Sequence, residues 1–503
     1  MCGIVAVHRL DGEPPDTALG NRMLDRIKHR GPDGRGEQTL GPTWLGHARL
    51  SIVDLPGGAQ PLGGGARQGT GMWVVGNGEI YNHRDLRGEL DWAFTTDSDN
   101  EAMVAAVHAD GPSGVGRLVG MFAFVASSPT GPVAARDPVG IKPLYWVRDA
   151  ARVLFASEIK AFDAADRPLV EEFPPGHWWT PGDGLTRYAD PLAPAGAPFT
   201  DRDQARSEVR ESLVTAVRRR MMADVEIGVF LSGGLDSSLV AAVMASEARR
   251  GQRIHSFAAG TATSSDLAAA REVAAYLGLD HHERVYDART VAEALPRVVG
   301  GLESAEPSLV RSAVPNLLVA ELAAAHVKVV LTGEGSDELF AGYDHYRGIT
   351  DPDRLAEELD RDLAGLHNLN LQRCDRVTMT HGLEARVPFL DLDMIATARR
   401  VPIGWRVPGA PGREKAILRE AFAGWLPDPL LWRVKEQFGD GSGTATVMDA
   451  YADELVPEDG WATAGLPGFP APRSREELGY QRLLHDALGG LRVEQVLGRW
   501  ATA

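Results

Sequence analysis

A change in the spacing of apolar segments divides this chain into two parts. In the first part, short apolar runs such as residues 2–7 are separated by frequent glycine and proline. In the second part, short apolar runs such as residues 225–231 alternate with long segments rich in alanine and leucine, such as residues 237–250. The stretch 191–198 between the two parts is rich in proline and alanine and has the composition of a linker. The chain is therefore expected to fold into two domains.

The two parts predict different kinds of sheet. Short strand-like runs bounded by glycine and proline are typical of antiparallel sheets, so residues 1–195 are expected to form an α+β domain with a few helices. Strand-like runs that alternate with helical segments indicate a parallel sheet covered by helices. Residues 200–503 are therefore expected to form an α/β domain with a parallel sheet and many helices.

Composition and charge argue against several classes of protein. Of the 503 residues, 44% are apolar and 24% are charged, as in ordinary soluble globular proteins. No run of about 18 apolar residues indicates a membrane span, and the N-terminus lacks the features of a signal peptide. A net charge of −17 argues against a general nucleic-acid binder. We therefore expect a cytoplasmic protein whose partners are small molecules rather than nucleic acids or membranes.

The second residue of the chain, Cys2, is a candidate nucleophile. Removal of Met1 would leave its thiol beside a free α-amine on the same residue. An α-amine has an unperturbed pKa of about 8, so it can accept the thiol proton near neutral pH. Position alone is weak evidence, because any residue can follow the initiator methionine.

Polar residues further along the chain strengthen this interpretation. Arg49 can hold a carboxylate through two parallel hydrogen bonds, and Glu79 and Asp99 can hold an ammonium group. Asn77 offers side-chain N–H donors and Gly78 a backbone N–H, which together could stabilise an oxyanion. The set suits a zwitterionic amino acid with a side-chain amide, which is glutamine.

Several short strings in this part are shared with one family; they lie at residues 29–33, 47–54, 77–82, 98–99, 136–145 and 156–160. Through them, residues 2–190 resemble the class II glutamine amidotransferase domain. The resemblance implies an N-terminal nucleophile fold of layered antiparallel sheets with flanking helices, in which Cys2 attacks glutamine and releases ammonia. It implies that the glutamine site is formed by Arg49, Leu50, Ser51, Ile52, Val53, Asn77, Gly78, Glu79 and Asp99.

A glycine- and serine-rich loop follows the predicted strand at 225–231 and has the sequence Ser232-Gly233-Gly234-Leu235-Asp236-Ser237-Ser238. Adjacent glycines and flanking serines let backbone N–H groups surround an anion, and the following helix adds the positive end of its dipole. The loop lacks the lysine of the kinase-type phosphate loop. It resembles the loop of the ATP-pyrophosphatase family, which binds the β- and γ-phosphates of ATP. Asp236 would help to hold Mg²⁺, which prefers oxygen ligands.

A second loop, residues 331–338, follows another predicted strand. Loops at the C-terminal ends of parallel strands face the same crevice. Asp337 would join Asp236 at the metal, and Glu334 would act as the base that takes a proton from ammonia. Lys435, in a later string, would offset negative charge near the α-phosphate.

A glutaminase joined to an ATP-pyrophosphatase resembles glutamine-hydrolysing asparagine synthetase, and further shared strings lie at residues 255–257, 333–338, 384–391 and 435–438. The resemblance implies that ATP and aspartate form a β-aspartyl-adenylate, which ammonia attacks after passing through an internal tunnel. Glu334 and Lys435 would serve adenylate formation and its aminolysis, and a homodimer is expected because related enzymes often dimerise. The implied nucleotide contacts are Phe230, Leu231, Ser232, Gly233, Gly234, Asp236, Ser237, Ser238, Ala259, Thr332 and Gly333.

One stretch departs from the family pattern. The family's aspartate site reads Thr-Thr-Ile-Arg, whereas this chain reads Ser308-Leu309-Val310-Arg311. Ser308 and Arg311 keep a hydroxyl and a guanidinium that can bind an acceptor carboxylate. If Leu309 packs in the core, aspartate is the expected acceptor. If it lines the pocket, the acceptor is a different acid. Ser308, which lacks the methyl group of threonine, also makes room for a longer acid such as glutamate, and in either case the enzyme would be a specialised amide or hydroxamate synthetase.

Two different functions on the same scaffold fit the sequence less well. Relatives of this scaffold that close a β-lactam ring lack the N-terminal cysteine and its glutamine pocket, so Cys2 and Arg49 argue against that reaction. A catalytically inactive regulatory homologue would have no need to keep Asp236, Glu334 and Lys435 together.

Two further features are expected to be structural. The string His281-His282-Glu283 is expected to begin a strand rather than to bind a metal. Cys374, the other cysteine of the chain, is expected to be a buried, small apolar residue.

The first prediction separates the two half-reactions. A Cys2→Ala variant should lose glutamine-dependent synthesis, because it has no nucleophile for the amide, but should keep synthesis from added ammonium. Product formation with each nitrogen donor measures this. Equal loss with glutamine and with ammonium would contradict the assignment of Cys2.

Overall fold

A computed structural model of the protein describes residues 2–64, 71–249, 251–407, 414–434 and 464–499, together with residues 448, 456 and 461. Lys435, one of the predicted catalytic residues, lies outside the described residues. None of the helices in the described ranges combines the length and apolar composition that a membrane span requires.

Two antiparallel sheets of six strands each form the N-terminal domain. In chain order the strands are β1 (Gly3–Arg9), β2 (Gly34–Leu40), β3 (Thr43–Arg49), β4 (Leu62–Gly63), β5 (Trp73–Ile80), β6 (Gly120–Ser128), β7 (Gly131–Arg136), β8 (Tyr145–Arg148), β9 (Arg152–Ala156), β10 (Glu171–Glu172), β11 (His177–Thr180) and β12 (Gly184–Arg187). The helices are α1 (Thr17–Arg26), α2 (His83–Glu89) and α3 (Glu101–Asp110). The strand orders are β10-β8-β9-β1-β3-β2 and β12-β11-β7-β6-β5-β4.

The two sheets pack face to face, with helices on their outer sides. Residues 4–7 of strand β1 are all apolar because both faces of the strand are buried. Ile4 and Ala6 point into the core between the sheets, whereas Val5 and Val7 point to the outer side, where α1 packs. Helices α2 and α3 cover the outer side of the second sheet. This layered arrangement confirms the predicted fold class of the N-terminal domain.

The C-terminal domain contains a five-stranded parallel sheet. Its strands are β13 (Ile227–Phe230), β14 (His255–Gly260), β15 (Asp280–Val285), β16 (Val329–Leu331) and β17 (Glu384–Arg386), in the order β15-β14-β13-β16-β17. The helices in the described ranges are α4 (Arg202–Arg220), α5 (Leu235–Glu247), α6 (Ser265–Leu277), α7 (Ala288–Leu302), α8 (Pro307–Ala324), α9 (Ser336–Phe340), α10 (Pro352–Gly365), α11 (Asn370–Met379), α12 (Leu392–Arg400), α13 (Ile403–Arg406), α14 (Ala416–Ala421), α15 (Asp428–Leu431), α16 (Arg475–Leu488) and α17 (Val493–Val496). The parallel sheet and its many helices confirm the predicted α/β class.

The buried guanidinium of Arg30 contacts both domains. Arg30 is fully buried, and its Nε donates to the carbonyl of Cys2 at 3.0 Å. Its Nη1 donates to Glu158 at 2.6 Å and to Asp375 of α11 at 2.8 Å. Glu158 belongs to the N-terminal domain and Asp375 to the C-terminal domain. The position of the residue that carries the candidate nucleophile is therefore coupled to helix α11.

Strand β17 makes a second contact between the domains. It forms one edge of the parallel sheet, and Arg386 Nη2 lies 3.3 Å from Glu79 Oε2 in the N-terminal domain. Lys142 Nζ donates to the carbonyl of Ala385 at 3.3 Å. These buried polar contacts restrict how the two domains can be placed relative to each other.

The Arg30 network predicts a large loss of stability when its cation is removed. Arg30→Ala would leave Glu158 and Asp375 buried without their shared partner, and should cost about 3–5 kcal/mol. Urea unfolding measures the difference. Arg35→Ala removes an exposed pair with Asp25 and serves as the control, with an expected cost of about 1 kcal/mol or less. Equal effects of the two substitutions would contradict the structural role of Arg30.

Candidate active sites

The candidate nucleophile lies at the start of β1, in the middle of the first sheet. Cys2 is buried, and its backbone nitrogen donates to Asn77 Oδ1 at 3.0 Å. This nitrogen would be the α-amine if Met1 were removed. The thiol faces the carbonyl of Leu50 at 3.9 Å, and burial raises the pKa of the thiol. A base is therefore needed to form the thiolate, which the adjacent amine can supply.

Two residues of β5 lie beside this cysteine. Asn77 is fully buried and its Oδ1 accepts from Cys2, while its Nδ2 has no hydrogen-bond partner among the residues that the structure describes. A buried N–H group without a partner is costly, so this donor has a strong tendency to bind an acceptor. At Gly78 a Cβ would lie 2.0 Å from the carbonyl oxygen of Met121, so only glycine fits there. The close packing of β5 against β6 therefore requires glycine at this position.

The charged side chain of Arg49 lines the same site. Arg49 donates to the carbonyl oxygens of Asp54 at 2.7 Å and Leu55 at 3.1 Å. A guanidinium has five N–H donors, so this anchored side chain keeps donors for a carboxylate.

Two buried carboxylates, those of Glu79 and Asp99, line the same cavity as Arg49. Burial raises the pKa of Asp99 to about 6. Burial, together with the neighbouring Asp99, also raises the pKa of Glu79 well above its ordinary value. An ammonium group bound between them would favour the charged form of both.

The structure brings most of the predicted glutamine-site residues to one narrow cavity. Those that line it are Cys2, Arg49, Leu50, Ile52, Val53, Gly78, Glu79 and Asp99, and residues not predicted from the sequence that also line it are Gly58, Gln60, Ser98 and Asn100. Asn77 and Ser51 are not among the lining residues: Asn77 is buried behind the cavity against Cys2, and the backbone nitrogen of Ser51 donates to Asp33 at 2.7 Å. Gln60 is buried and exchanges hydrogen bonds with the backbone of Gly76. No sequence pattern pointed to it.

The second candidate site begins at the loop between β13 and α5. Gly233 has a φ of +71°, and a Cβ there would lie 2.6 Å from the backbone nitrogen of Ala270 in α6. Ser232 Oγ accepts from Gly234 N at 3.3 Å and lies 3.1 Å from Ser237 Oγ. The loop is thus held in a tight turn at the N-terminus of a helix, which suits phosphate binding.

The loop between β16 and α9 meets the first loop, as predicted from the parallel sheet. A Cβ at Gly333 would lie 2.7 Å from Asp236 Cβ, and Ser336 Oγ donates to Asp236 Oδ1 at 2.8 Å. Glu334, in the same loop, forms an ion pair with Arg373 of α11. Helix α11 therefore takes part in both the domain contact and the second site.

A lysine that the sequence analysis missed lies between the two predicted metal ligands. Lys415 is buried, and its ammonium lies 2.6 Å from Asp236 Oδ2 and 2.7 Å from Asp337 Oδ1. Although burial opposes it, the two carboxylates raise the pKa of Lys415. Carboxylate oxygens are the ligands that Mg²⁺ prefers, so the two acids could hold this ion, but it would have to share them with the Lys415 ammonium that they already bind. No motif marks Lys415, which is 179 residues from Asp236.

The nucleotide loops open into a single cavity of about 960 Å³. The predicted residues that line it are Phe230, Leu231, Ser232, Gly234, Asp236, Ser237, Ala259, Ser308, Arg311, Thr332, Gly333, Glu334 and Asp337. Gly233 and Ser238 are not among the lining residues, and Ser238 is buried. Arg433 was not predicted, but it lines the cavity and donates to the carbonyl of Gly233 at 3.3 Å.

Comparison with known proteins identifies both halves of the chain. A glutamine amidotransferase domain model matches residues 1–174, and an asparagine synthase model matches residues 208–351 and 347–488. The chain is 35% identical to a probable glutamine-hydrolysing asparagine synthetase of Dictyostelium discoideum, over 99% of this chain and 96% of that protein. The chain belongs to the glutamine-hydrolysing asparagine synthetase family.

Other members of the family show similar coverage. Asparagine synthetase B of Escherichia coli is 36% identical over 97% of this chain and 91% of its own length. Asparagine synthetase 3 of Arabidopsis thaliana is 38% identical over 91% of this chain and 82% of its own length. The similarity thus includes both domains of these synthetases.

The stretch in which this chain departs from the asparagine synthetase pattern begins helix α8. Leu309 is 1% exposed and belongs to the main apolar core, and it does not line the synthetase cavity. Of the two cases that the sequence left open, the structure therefore matches the one in which Leu309 packs in the core. Ser308 does line the cavity, and its hydroxyl lies 3.4 Å from Glu306 Oε1.

Arg311, which keeps the family's guanidinium in the same stretch, is already paired within the protein. Its Nε donates to Glu476 Oε1 at 2.8 Å and its Nη2 to Glu476 Oε2 at 2.6 Å. Glu476 lies in α16, far along the chain, and no pattern in the sequence linked the two residues. An acceptor carboxylate at Arg311 must therefore share the guanidinium with Glu476 or displace it.

The burial of Leu309 predicts an effect on stability and none on specificity. Leu309→Thr, which restores the family's residue, should cost about 2–4 kcal/mol because it removes core contacts and buries a hydroxyl. Urea unfolding and an acceptor screen measure the two effects. Leu309→Met is the control and should cost less than about 1.5 kcal/mol. A change of acceptor in Leu309→Thr would contradict the placement of Leu309 in the core.

Proposed function

We propose that this protein is an asparagine-forming carbon–nitrogen ligase that uses glutamine as its nitrogen donor. Aspartate and ATP react to give β-aspartyl-AMP and pyrophosphate, and ammonia from glutamine then gives asparagine and AMP. Residues 1–195 form the glutaminase and residues 200–503 the synthetase. The main support for this proposal is that helix α11 connects the two sites. Asp375 of this helix binds Arg30 next to Cys2, and Arg373 of the same helix lines the nucleotide cavity.

In the glutaminase reaction, the Cys2 thiolate attacks the side-chain carbonyl carbon of glutamine. The unpaired Asn77 Nδ2 and the backbone N–H of Gly78 donate to the oxygen of the tetrahedral intermediate. The α-amine of Cys2 takes the thiol proton and returns it to the leaving nitrogen, which departs as ammonia. Water then hydrolyses the thioester to give glutamate and the free thiol.

Charge complementarity orients glutamine for this attack. Arg49 binds the α-carboxylate through donors that its contacts with Asp54 and Leu55 leave over. Glu79 and Asp99 bind the α-ammonium group. Their raised pKa values fall again when the ammonium arrives, so substrate binding and carboxylate ionisation support each other.

In the synthetase reaction, the two loops cradle the triphosphate of ATP while the β-carboxylate of aspartate attacks the α-phosphorus. Lys415, Arg433 and Lys435 offset the negative charge that develops as pyrophosphate leaves. Asp236 and Asp337 would hold Mg²⁺, which supplies positive charge to the phosphates when bound. Glu334 takes a proton from ammonia as its nitrogen attacks the acyl carbon and AMP departs.

Ammonia must travel from one site to the other without becoming protonated by solvent. We propose that it passes along the domain contact beside α11. Cys374 of this helix is buried and lines the synthetase cavity, and the next residue, Asp375, reaches Arg30 in the glutaminase domain. Helix α11 therefore lines the synthetase cavity directly and reaches the residue that carries the nucleophile through Arg30.

The acceptor is tested by pyrophosphate release with ATP and Mg²⁺, with each amino acid supplied separately and glutamine as nitrogen donor. We expect release with aspartate and asparagine as the product, because Leu309 lies in the core. Release only with glutamate or another acid would keep the two-site mechanism and reject aspartate. Absence of release with every acid would favour an inactive homologue.

The oxyanion role of Asn77 gives a prediction on rate. Asn77→Ala removes the unpaired donor and should lower the glutaminase rate by about 10²–10³-fold. Synthesis from added ammonium should be unaffected, which controls for misfolding. A glutaminase rate within a few-fold of wild type would contradict the role of Asn77.

A further inference from the structure

A cluster of imidazole and carboxylate groups lies at the edge of the parallel sheet opposite the phosphate-binding loops. His255 is the first residue of β14, and Asp280 is the first residue of β15. The phosphate-binding loops follow the C-terminal ends of β13 and β16, and all these strands are parallel. The cluster is therefore separated from the reaction that the cavity supports.

Strand geometry places the members of this cluster on one face. β14 and β15 pair in parallel, with His255 opposite Asp280 and Phe257 opposite His282. Side chains two residues apart in a strand point to the same face, so Asp280 and His282 face the same way. His281 points to the other face, where its Nδ1 lies 2.9 Å from Ser256 Oγ.

The potential ligand atoms of the three residues have separations close to those in a metal site. His255 Nδ1 lies 3.1 Å from His282 Nε2 and 3.6 Å from Asp280 Oδ2. His282 Nε2 lies 3.7 Å from Asp280 Oδ1. In a tetrahedral zinc site, ligand atoms at about 2.0–2.1 Å from the metal are about 3.3–3.5 Å apart. Small movements of the three side chains would thus form such a site.

The surroundings also suit a metal. Glu226 Oε2 lies 3.6 Å from the other ring nitrogen of His255, so a small movement of this exposed side chain would let it accept the hydrogen bond that orients many metal-binding histidines. The ring of His326 packs against that of His282, with centroids 4.1 Å apart. The Asp280 side chain is 39% exposed, which leaves room for a water molecule as fourth ligand.

We propose that His255, Asp280 and His282 bind one Zn²⁺ ion that joins the edge strand β15 to β14. Two imidazoles and one carboxylate are a ligand set that zinc readily accepts. Because the ligands come from two neighbouring strands at the sheet edge, the ion stabilises the fold and takes no part in amide synthesis.

The proposal is tested on the full-length protein after metal is stripped with a chelator. Zn²⁺ binding is followed by titration calorimetry, and Co²⁺ is used as a visible-spectrum probe of imidazole ligation. We expect one more ion per chain in wild type than in His282→Asn, with affinity lowered more than about 100-fold in the variant, because outer partners alone are worth about 10–100-fold. Zn²⁺ should raise the melting temperature of wild type and leave that of His282→Asn unchanged at the same concentration.

Two further variants test whether the effect is specific to the proposed ligands. His281→Asn changes the neighbouring imidazole on the opposite face and should bind Zn²⁺ as wild type does. Asp280→Asn is a mild change at a partly exposed position and should weaken Zn²⁺ binding. Glutaminase and synthetase activities should be retained in all variants, which shows that they fold. Equal Zn²⁺ stoichiometry and affinity in wild type and His282→Asn, or no tight ion in wild type, would overturn the proposal.

Discussion

The buried guanidinium of Arg30 is the contact on which the arrangement of the two active sites depends. Removing a guanidinium from water costs several kcal/mol, and only close anionic partners recover this cost. Arg30 finds Glu158 in its own domain and Asp375 in α11, and it also binds the carbonyl of Cys2. Any shift of one domain against the other would separate these groups inside the protein. The free energy of the network therefore favours one placement of the nucleophile relative to the synthetase.

The nucleotide cavity is organised by a similar balance of buried charge. Lys415 is held by Asp236 from one loop and Asp337 from the other, so the ammonium brings the two loops together before substrate binds. Glu334 is in turn paired with Arg373 of α11. Charges that are already positioned need not reorganise during the reaction, which is the main source of electrostatic catalysis.

The class of each domain could be predicted from the sequence because local patterns determine it. Strand–helix alternation indicated the parallel sheet, and the glycine–serine loop indicated where an anion would bind. Two kinds of feature could not be predicted from the sequence. Strand β17 has three residues and lies far from β16 in the chain, so no periodicity marked it. The pairing of Arg311 with Glu476 and of Lys415 with Asp236 joins residues that are more than 160 positions apart. Such pairs depend on tertiary packing, which a local pattern does not record.

Passage of ammonia between the two sites inside the protein can be measured by isotope partitioning. Glutamine labelled with ¹⁵N in its side-chain amide is supplied with aspartate and ATP in the presence of excess unlabelled ammonium, and the label in asparagine is measured by mass spectrometry. At glutamine saturation, we predict that most of the asparagine carries ¹⁵N. Dilution of the label to the isotopic ratio of the free ammonium would contradict the account, because it would show that ammonia equilibrates with solvent before it reacts.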